Sequence, residues 1–431
     1  MSSTLSSLRT FRPLAHILFV VLAISLQNAN AQNRDDQMLT LQALINAASN
    51  FYPSIVAAKY EAQATQEEVT VAERQRWPTV TATVESNNGN LRSGPTRSMQ
   101  IDQTIWDAGR NKAHISEAKA LAEIGQLKVA LQKQELSLQI VAAWQNLVAA
   151  VQRINVAKTS LERLTKYQEQ MRRRVEAEAS SRIDLELADA RVQQTEVEMA
   201  SAESSLIIAL SRLQQLTGED DLHARLHTMA PVPTLRMTGV YSDVLKNVDW
   251  RVAASEHPSV AKAHFEFEQA KTRLDAKQAE GWPQLYVRSY QPFGAAPTSN
   301  DTSMTTFLGI RYSPGAGFSN FAEQKAMGTR ISSAEQSIQT AMREVMQNLQ
   351  NDREEFINAR VRIGVLEKSV NSSALVLESY QRQFESGRKQ WLDLLNAARE
   401  FTQNQYALVE AQAVMVGSMH RLQIRMGQDA Y

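Results

Sequence analysis

The 431-residue chain carries 46 basic and 46 acidic side chains and no cysteine, which excludes disulfides and Cys-ligated metals and leaves no electrostatic footprint for nucleic acid. Hydrophobic residues make up 43%, whereas glycine (16), proline (11) and aromatics (6%) are scarce, a balance that suits long helices more than loops.

Residues 1–31 read as a secretory leader: Arg9 and Arg12 form the positive region, Leu14 to Leu26 the apolar run, and Ala29-Asn30-Ala31 a small-residue cleavage site. The mature chain is expected to start at Gln32, with 44 basic against 46 acidic residues once Arg9 and Arg12 are removed. The apolar run is shorter than the roughly 20 residues of a spanning helix, and no later run approaches that length, which argues against a helical membrane protein. With no cysteine after the expected cleavage site, no lipoprotein anchor is expected.

A helix is expected from about Pro53 to Arg76, ending at Trp77-Pro78 because proline pushes its predecessor out of the helical region and donates no hydrogen bond. Two strands follow. Val80, Ala82 and Val84 alternate with Thr79, Thr81, Thr83 and Glu85; after a turn over Gly89 to Gly94, Met99, Ile101 and Ile105 alternate with Ser98, Gln100, Asp102 and Thr104. Strands of roughly ten residues span an outer membrane when tilted.

After Gly109 comes a long helix with a sevenfold apolar row, Ile140, Leu147, Ile154 and Leu161, beside Ala143, Ala150 and Ala157. It turns near Glu178 to Ser181 and returns along Leu185, Val192, Met199, Leu206 and Leu213 to Gly218. A connector with Pro231 and Pro233 follows, and the pattern starts again.

Tyr52-Pro53-Ser54-Ile55 returns as His257-Pro258-Ser259-Val260 and Arg76-Trp77-Pro78 as Gly281-Trp282-Pro283, both 205 residues on. Ala108-Gly109 returns as Ala316-Gly317 at 208, and Asp184-Leu185 and Thr217-Gly218 as Asp393-Leu394 and Met426-Gly427 at 209. The change of offset is expected to fall in a hairpin loop. Leu285 and Val287 alternate with Tyr286, Arg288 and Tyr290, and Met304, Thr306, Leu308 and Ile310 with Thr305, Phe307 and Gly309. From Met342 the row Leu349, Phe356, Ile363, Val370, Leu377 and Phe384 recurs every seventh residue, with a softer row Val345, Asp352, Ala359, Leu366, Ser373 and Tyr380 beside it. A helix from Phe318 to Ser386 would reach roughly 100 Å and must lie against others. Gly387 ends it, and Leu394, Phe401, Leu408, Met415 and Leu422 form the returning row.

The expected organisation is a leader (1–31), a first repeat (32–218: strand pair 79–106, long helices 109–217), a connector (219–257) and a second repeat (258–431: strand pair 284–313, long helices 318–427). Four strands leave two open edges, which hydrocarbon does not tolerate, so one chain supplies a sector of a barrel shared between copies. No nucleophile, base and orienting group can be assembled and no phosphate loop appears, so neither catalysis nor a cofactor is expected. His223 and His227 are four apart but lack further metal ligands.

The twofold repeat, the Tyr/His-Pro-Ser starts, the Trp-Pro before each strand pair, Trp106-Asp107-Ala108-Gly109 and the Asp-Leu after each helical turn together resemble the TolC family of outer-membrane channels, over essentially the whole mature chain. The resemblance implies a mainly α fold with a membrane β-barrel sector: a homotrimer with a 12-stranded barrel in outer-membrane lipid and a periplasmic helical barrel. It also implies a periplasmic adaptor (membrane fusion) protein and an inner-membrane ABC or proton-driven transporter as partners. The expected function is a passive exit duct for efflux or type I secretion, leaning on family impression towards a large adhesin-like protein. The alternative is a periplasmic adaptor or structural coiled-coil protein of the envelope.

Within the family, the turn before the last helix holds a glycine, a basic residue and an acidic one that constricts the tunnel mouth. That match places a periplasmic gate at Asp393, Lys389, Asp184 and Phe384, with Lys389 latching onto Asp184, and an adaptor contact at Gly387, Arg388, Ser180 and Ser181. Phe384 stands where a latch tyrosine would offer a hydroxyl, and Asn396 where some members have a second acidic ring, so fewer polar contacts are expected to hold the mouth. Glu178 lacks the glycine of its counterpart Gly387. Asp184 and Asp393 could instead serve only as helix caps. Arg172-Arg173-Arg174 could touch an adaptor or form a solvated face, and Trp77 and Trp282 could join an interfacial belt or pack beneath the barrel.

Overall fold

The computed structural model describes residues 39–85, 96–229, 248–293, 303–313 and 315–427. The leader, the Gly89 to Gly94 turn and the Pro231/Pro233 part of the connector lie outside the described residues. In chain order the elements are α1 (Leu41–Phe51), α2 (Pro53–Arg74), β1 (Thr79–Glu85), β2 (Thr96–Trp106), α3 (Arg110–Glu176), α4 (Arg182–Thr217), α5 (Trp250–Ser255), α6 (Pro258–Glu280), β3 (Gln284–Phe293), β4 (Thr305–Arg311), α7 (Ser319–Glu385) and α8 (Trp391–Arg425).

The two copies agree element by element. Both α3 and α7 have 67 residues, roughly 100 Å of helix each, while α4 has 36 and α8 35. The offset is 205 from Pro53 to Pro258 and from Thr79 to Gln284, and 209 from Thr96 to Thr305 onwards, so the change falls between the paired strands, where the expected hairpin loop lies outside the described residues. The 208 spacing of the Ala-Gly pairs is corrected. Left-handed backbone occurs at Ala108 and Gly109 in the first copy but at Gly317 and Phe318 in the second, so the conformation keeps the 209 offset and the glycine has moved by one. Asp107 stabilises the first junction, its carboxylate accepting from the Gly109 N–H (3.1 Å) and the Asn111 N–H (2.9 Å).

Side-by-side packing orders the helices as α4, α3, α8, α7 along a single-layer wall. Towards the sheet, α2 takes over from α4 and α6 from α8, so α2, α3, α6 and α7 follow in the same order. Core clusters mark both relays. Leu44, Ala48 and Ile55 pack with Ile140 and Leu147 of α3 and with Leu213 and Leu216 of α4, while Ala254 and Val260 pack with Val345, Leu349 and Met426.

The strands repeat that order. They form one antiparallel sheet, β1-β2-β3-β4, each strand joined to the helix at the same place in the wall. Thr81 lies opposite Gln100, Gln100 opposite Tyr290 and Tyr290 opposite Thr305, while Val80 lies opposite Ile101 and Val287 opposite Leu308. One face is therefore mostly apolar and the other polar, the alternation expected of a sheet with lipid on one side and water on the other. Among the described residues no helix is long and apolar enough to cross a membrane.

The sevenfold row of α7 is the inward side of that helix. Leu349, Phe356, Ile363, Leu377 and Phe384 are buried, with Met342 and Val370 half-buried. The companion row contains an acid, Asp352, which is also buried; Arg421 Nε reaches its Oδ1 (2.9 Å) and Arg425 Nε its Oδ2 (2.8 Å). His257 caps α6 nearby through Nδ1, which accepts from the Ser259 N–H (3.1 Å). Burial, aided by the Arg425 charge, pushes its pKa down to about 4.

Candidate functional site

At the end of the wall away from the sheet, two helical turns lie side by side. Each closes with the same bonds: the Glu178 N–H donates to Val175 O and the Ala179 N–H to Arg174 O, matched by Gly387 to Phe384 O and Arg388 to Gln383 O. This is a Schellman-type closure, which requires a left-handed residue. Gly387 takes it freely at φ 76°, and Glu178 takes it at φ 55° against the usual preference of a side-chain-bearing residue. The turn shape is thus preserved where the glycine is not.

The helix starts correct the capping assignment. Ser181 caps α4, its Oγ accepting from the Ile183 N–H (3.2 Å), and Gln390 precedes α8 without a side-chain bond. Asp184 and Asp393 sit in the first turns, where a carboxylate favours the positive helix end without capping it.

Within one chain, Lys389 Nζ lies 3.5 Å from Asp393 Oδ2 and 4.2 Å from the Tyr380 ring centroid. Lys389 is outside both helices, as its place in the turn implies. Asp393 and Lys389 come together, whereas no basic side chain pairs with Asp184 among the described residues of the protomer. The Lys389–Asp393 pair is 28% and 42% exposed at its side chains, so its contribution is at most about 1 kcal/mol. Gly387 and Arg388 are exposed at one tip, with Arg388 Nε donating to Ser386 Oγ (3.1 Å); Ser181 is exposed and Ser180 half-buried at the other.

What joins the two tips is a residue the sequence reading passed over. Trp391, 5% exposed, donates its indole N–H to the backbone oxygen of Asp184 at 2.9 Å, linking the start of α8 to the start of α4. Its ring meets Tyr167 edge-on (centroids 6.1 Å) and Phe384 at a tilt (5.2 Å). Phe384 is itself buried, with the Arg174 guanidinium 4.8 Å over its ring. Arg172 and Arg173 stay exposed beside Glu169, so the basic run divides between packing and surface. Burial holds the Tyr167 phenol above its usual pKa, opposed by Arg163, and its hydroxyl donates to Gln381 Oε1 (3.2 Å). The signal available in sequence was an isolated tryptophan just beyond the turn, where the first copy has Arg182.

At the other end, Trp77 and Trp282 are 73% and 62% exposed just before β1 and β3, and Trp106 is exposed at the end of β2. Packing beneath the sheet within the protomer is therefore ruled out; the three indoles mark one level at the helix–sheet junction, joined there by exposed Tyr312, Phe318 and Phe321. Aromatic girdles of this kind sit at membrane–water interfaces. His223 and His227 belong to no group of metal ligands among the described residues, and His227 Nδ1 is held at 2.7 Å by the Ala224 carbonyl.

The exposed large apolar side chains of the helical wall are unevenly placed. Edge helices carry nearly all of them: Tyr60 and Val71 on α2, Val197, Ile207 and Ile208 on α4, and Phe321, Val361, Val365 and Leu375 on α7. The inner helices α3 and α6 carry none, and α8 has only Leu392.

Residues 44–219 match the sequence pattern of a family described as Outer membrane efflux protein. No curated protein matches the chain. Among solved structures the fold is similar to a membrane protein from Pseudomonas aeruginosa (17% identity, TM-score 0.78, 91% of each chain covered). It is also similar to the outer membrane protein VceC from Vibrio cholerae (16%, 0.76, 90% of this chain and 96% of that one). A third likeness is to the open state of the MtrE outer membrane channel of Neisseria gonorrhoeae (17%, 0.73, 90% and 89%). At these identities the likeness is one of fold.

Proposed function

We propose that this chain, which belongs to the outer membrane efflux protein family, closes as three copies into one exit duct whose periplasmic end is gated at the α3–α4 and α7–α8 turns. It is an outer-membrane protein with a periplasmic helical portion, and a conduit rather than an enzyme. The observation that carries the trimeric reading is the agreement of two edges. Among the described residues the sheet ends in β1 and β4, and the wall ends on the same two sides in α2/α4 and α7, the helices that carry the exposed apolar side chains. An edge of each kind from one copy meets the opposite edge of the next, a head-to-tail contact that forms a ring when the rotation closes. Three sectors of four strands give twelve, and the closed barrel leaves no open edge in lipid.

In this reading Asp393 of three copies lines the mouth, and the turns at Gly387, Arg388, Ser180 and Ser181 meet a periplasmic adaptor that couples the duct to an ABC or proton-driven transporter. The cargo is either small molecules or a large secreted protein of the adhesin type. Cross-linking of the detergent-purified protein is expected to give trimers; monomers alone, with strand content intact, would overturn ring closure. Deletion of the gene is expected to raise intracellular drug and dye retention under efflux, or to remove one large protein from the cell surface under type I secretion. A deletion strain unchanged in both would refute the export role.

A further inference from the structure

The polar face of the sheet carries a cluster that the gate and the ring closure leave unused. Tyr286 is flanked by two guanidinium groups, Arg311 at 4.8 Å and Arg288 at 5.3 Å from its ring centroid, and Arg288 is also 6.0 Å from Phe307. Gly309 lies opposite Tyr286, and a Cβ there would come within 2.6 Å of the ring, so the phenol lies over bare backbone. Asp102 pairs with Arg288 (2.5 Å) and accepts from Gln100. Arg311 forms no ion pair of its own among the described residues. Two cations against one anion leave a surplus of one positive charge per chain here. Glu85, the other charge on this face of the described strands, lies about 20 Å up the strand from Thr79.

We propose that this cluster, repeated three times, forms a cationic and aromatic collar inside the barrel that favours anionic cargo groups, carboxylates or phosphates, over cations. The proposal rests on the twelve-stranded trimeric barrel of the preceding section. Twelve strands about 4.8 Å apart and tilted about 40° enclose a backbone radius of about 12 Å. Arginines reaching inward place their charges within roughly one Debye length, about 8 Å, of the axis. Low-dielectric walls then focus the field of three surplus charges along the lumen. The Tyr286 and Phe307 rings hold the guanidinium planes in place and offer apolar contact beside the charge. The collar differs from the mouth in sign, because Asp393 would line that end with carboxylates.

The absence of cysteine makes a direct test possible. Thr104 lies opposite Tyr286 on the polar face, and Leu308 lies on the apolar face. In the purified trimer, Thr104→Cys is expected to react faster with an anionic sulfonatoethyl methanethiosulfonate than with the cationic trimethylammonium reagent. Adding Arg311→Gln should lower that rate ratio on the order of tenfold, and adding Asp102→Asn should raise it. An unchanged ratio in Arg311→Gln, with Thr104→Cys still reactive, overturns the collar. Leu308→Cys is expected to resist both water-soluble reagents; if it reacts as fast as Thr104→Cys, the assignment of the polar face to the lumen fails, and the barrel reading with it.

Discussion

Replacing Trp391 by phenylalanine isolates the hydrogen bond that links the start of α8 to the start of α4. Phenylalanine keeps the aromatic packing on Tyr167 and Phe384 but removes the indole N–H that donates to the Asp184 backbone oxygen. The Asp184 carbonyl lies inside the first turn of α4 and has its own partner along the helix, so nothing is orphaned by the change. The loss is then the net worth of one hydrogen bond, about 1 kcal/mol per chain. Three copies opening together would forfeit about 3 kcal/mol, a shift of on the order of a hundredfold in the balance between closed and open mouths. Single-channel recording in planar bilayers measures this as open probability and mean conductance. Both are expected to rise in Trp391→Phe, while trimer yield stays at the wild-type level. Recordings that match wild type, from trimers of normal yield, would show that the tips do not separate on opening and that Trp391 is packing alone.

Leu377, 6% exposed among Leu394, Phe384 and Trp391, should not accept a charge: Leu377→Asp is expected to cost several kcal/mol and to abolish trimer on native gels, whereas Arg172→Ala at the exposed surface leaves trimer unchanged. If Asp393 lines the mouth as proposed, Asp393→Asn is expected to lower cation preference in reversal-potential measurements without loss of assembly, since a ring of carboxylates attracts cations. Lys389→Ala should raise conductance by less than Trp391→Phe, because its half-exposed pair with Asp393 contributes little. His257 gives a pH dependence. With its folded pKa near 4, the unfolded chain binds more protons between pH 6.5 and 4, so the His257 contribution is complete above pH 6.5 and falls as the pH drops, by about 2 kcal/mol at pH 5. Urea midpoints at pH 8 and pH 5 should therefore differ less in His257→Asn, which keeps a capping side chain, than in wild type.

Much of this protein is written in its sequence because its elements are long and regular. The sevenfold rows in α7 and α8, the alternation in all four strands, the Trp-Pro stops and the doubled order each report a local periodicity, and local periodicity fixes which face of an element is buried. The change of offset between the paired strands follows from the same repetition, whereas the left-handed turn kept at Glu178 without a glycine is seen only in the structure. Periodicity does not say which helix a buried face meets. The wall order α4, α3, α8, α7, the relay of α4 by α2 and α8 by α6, and the exposed apolar side chains of the edge helices are decided only when the elements pack. The same holds for single residues. Lys389 and Asp393 share a turn and could be paired by spacing, whereas the bond from Trp391 to Asp184 joins residues 207 apart. The acid at Asp352 is tolerable in an apolar row because Arg421 and Arg425 arrive from a different helix. Sequence determines the faces; the free energy of packing them selects the partners.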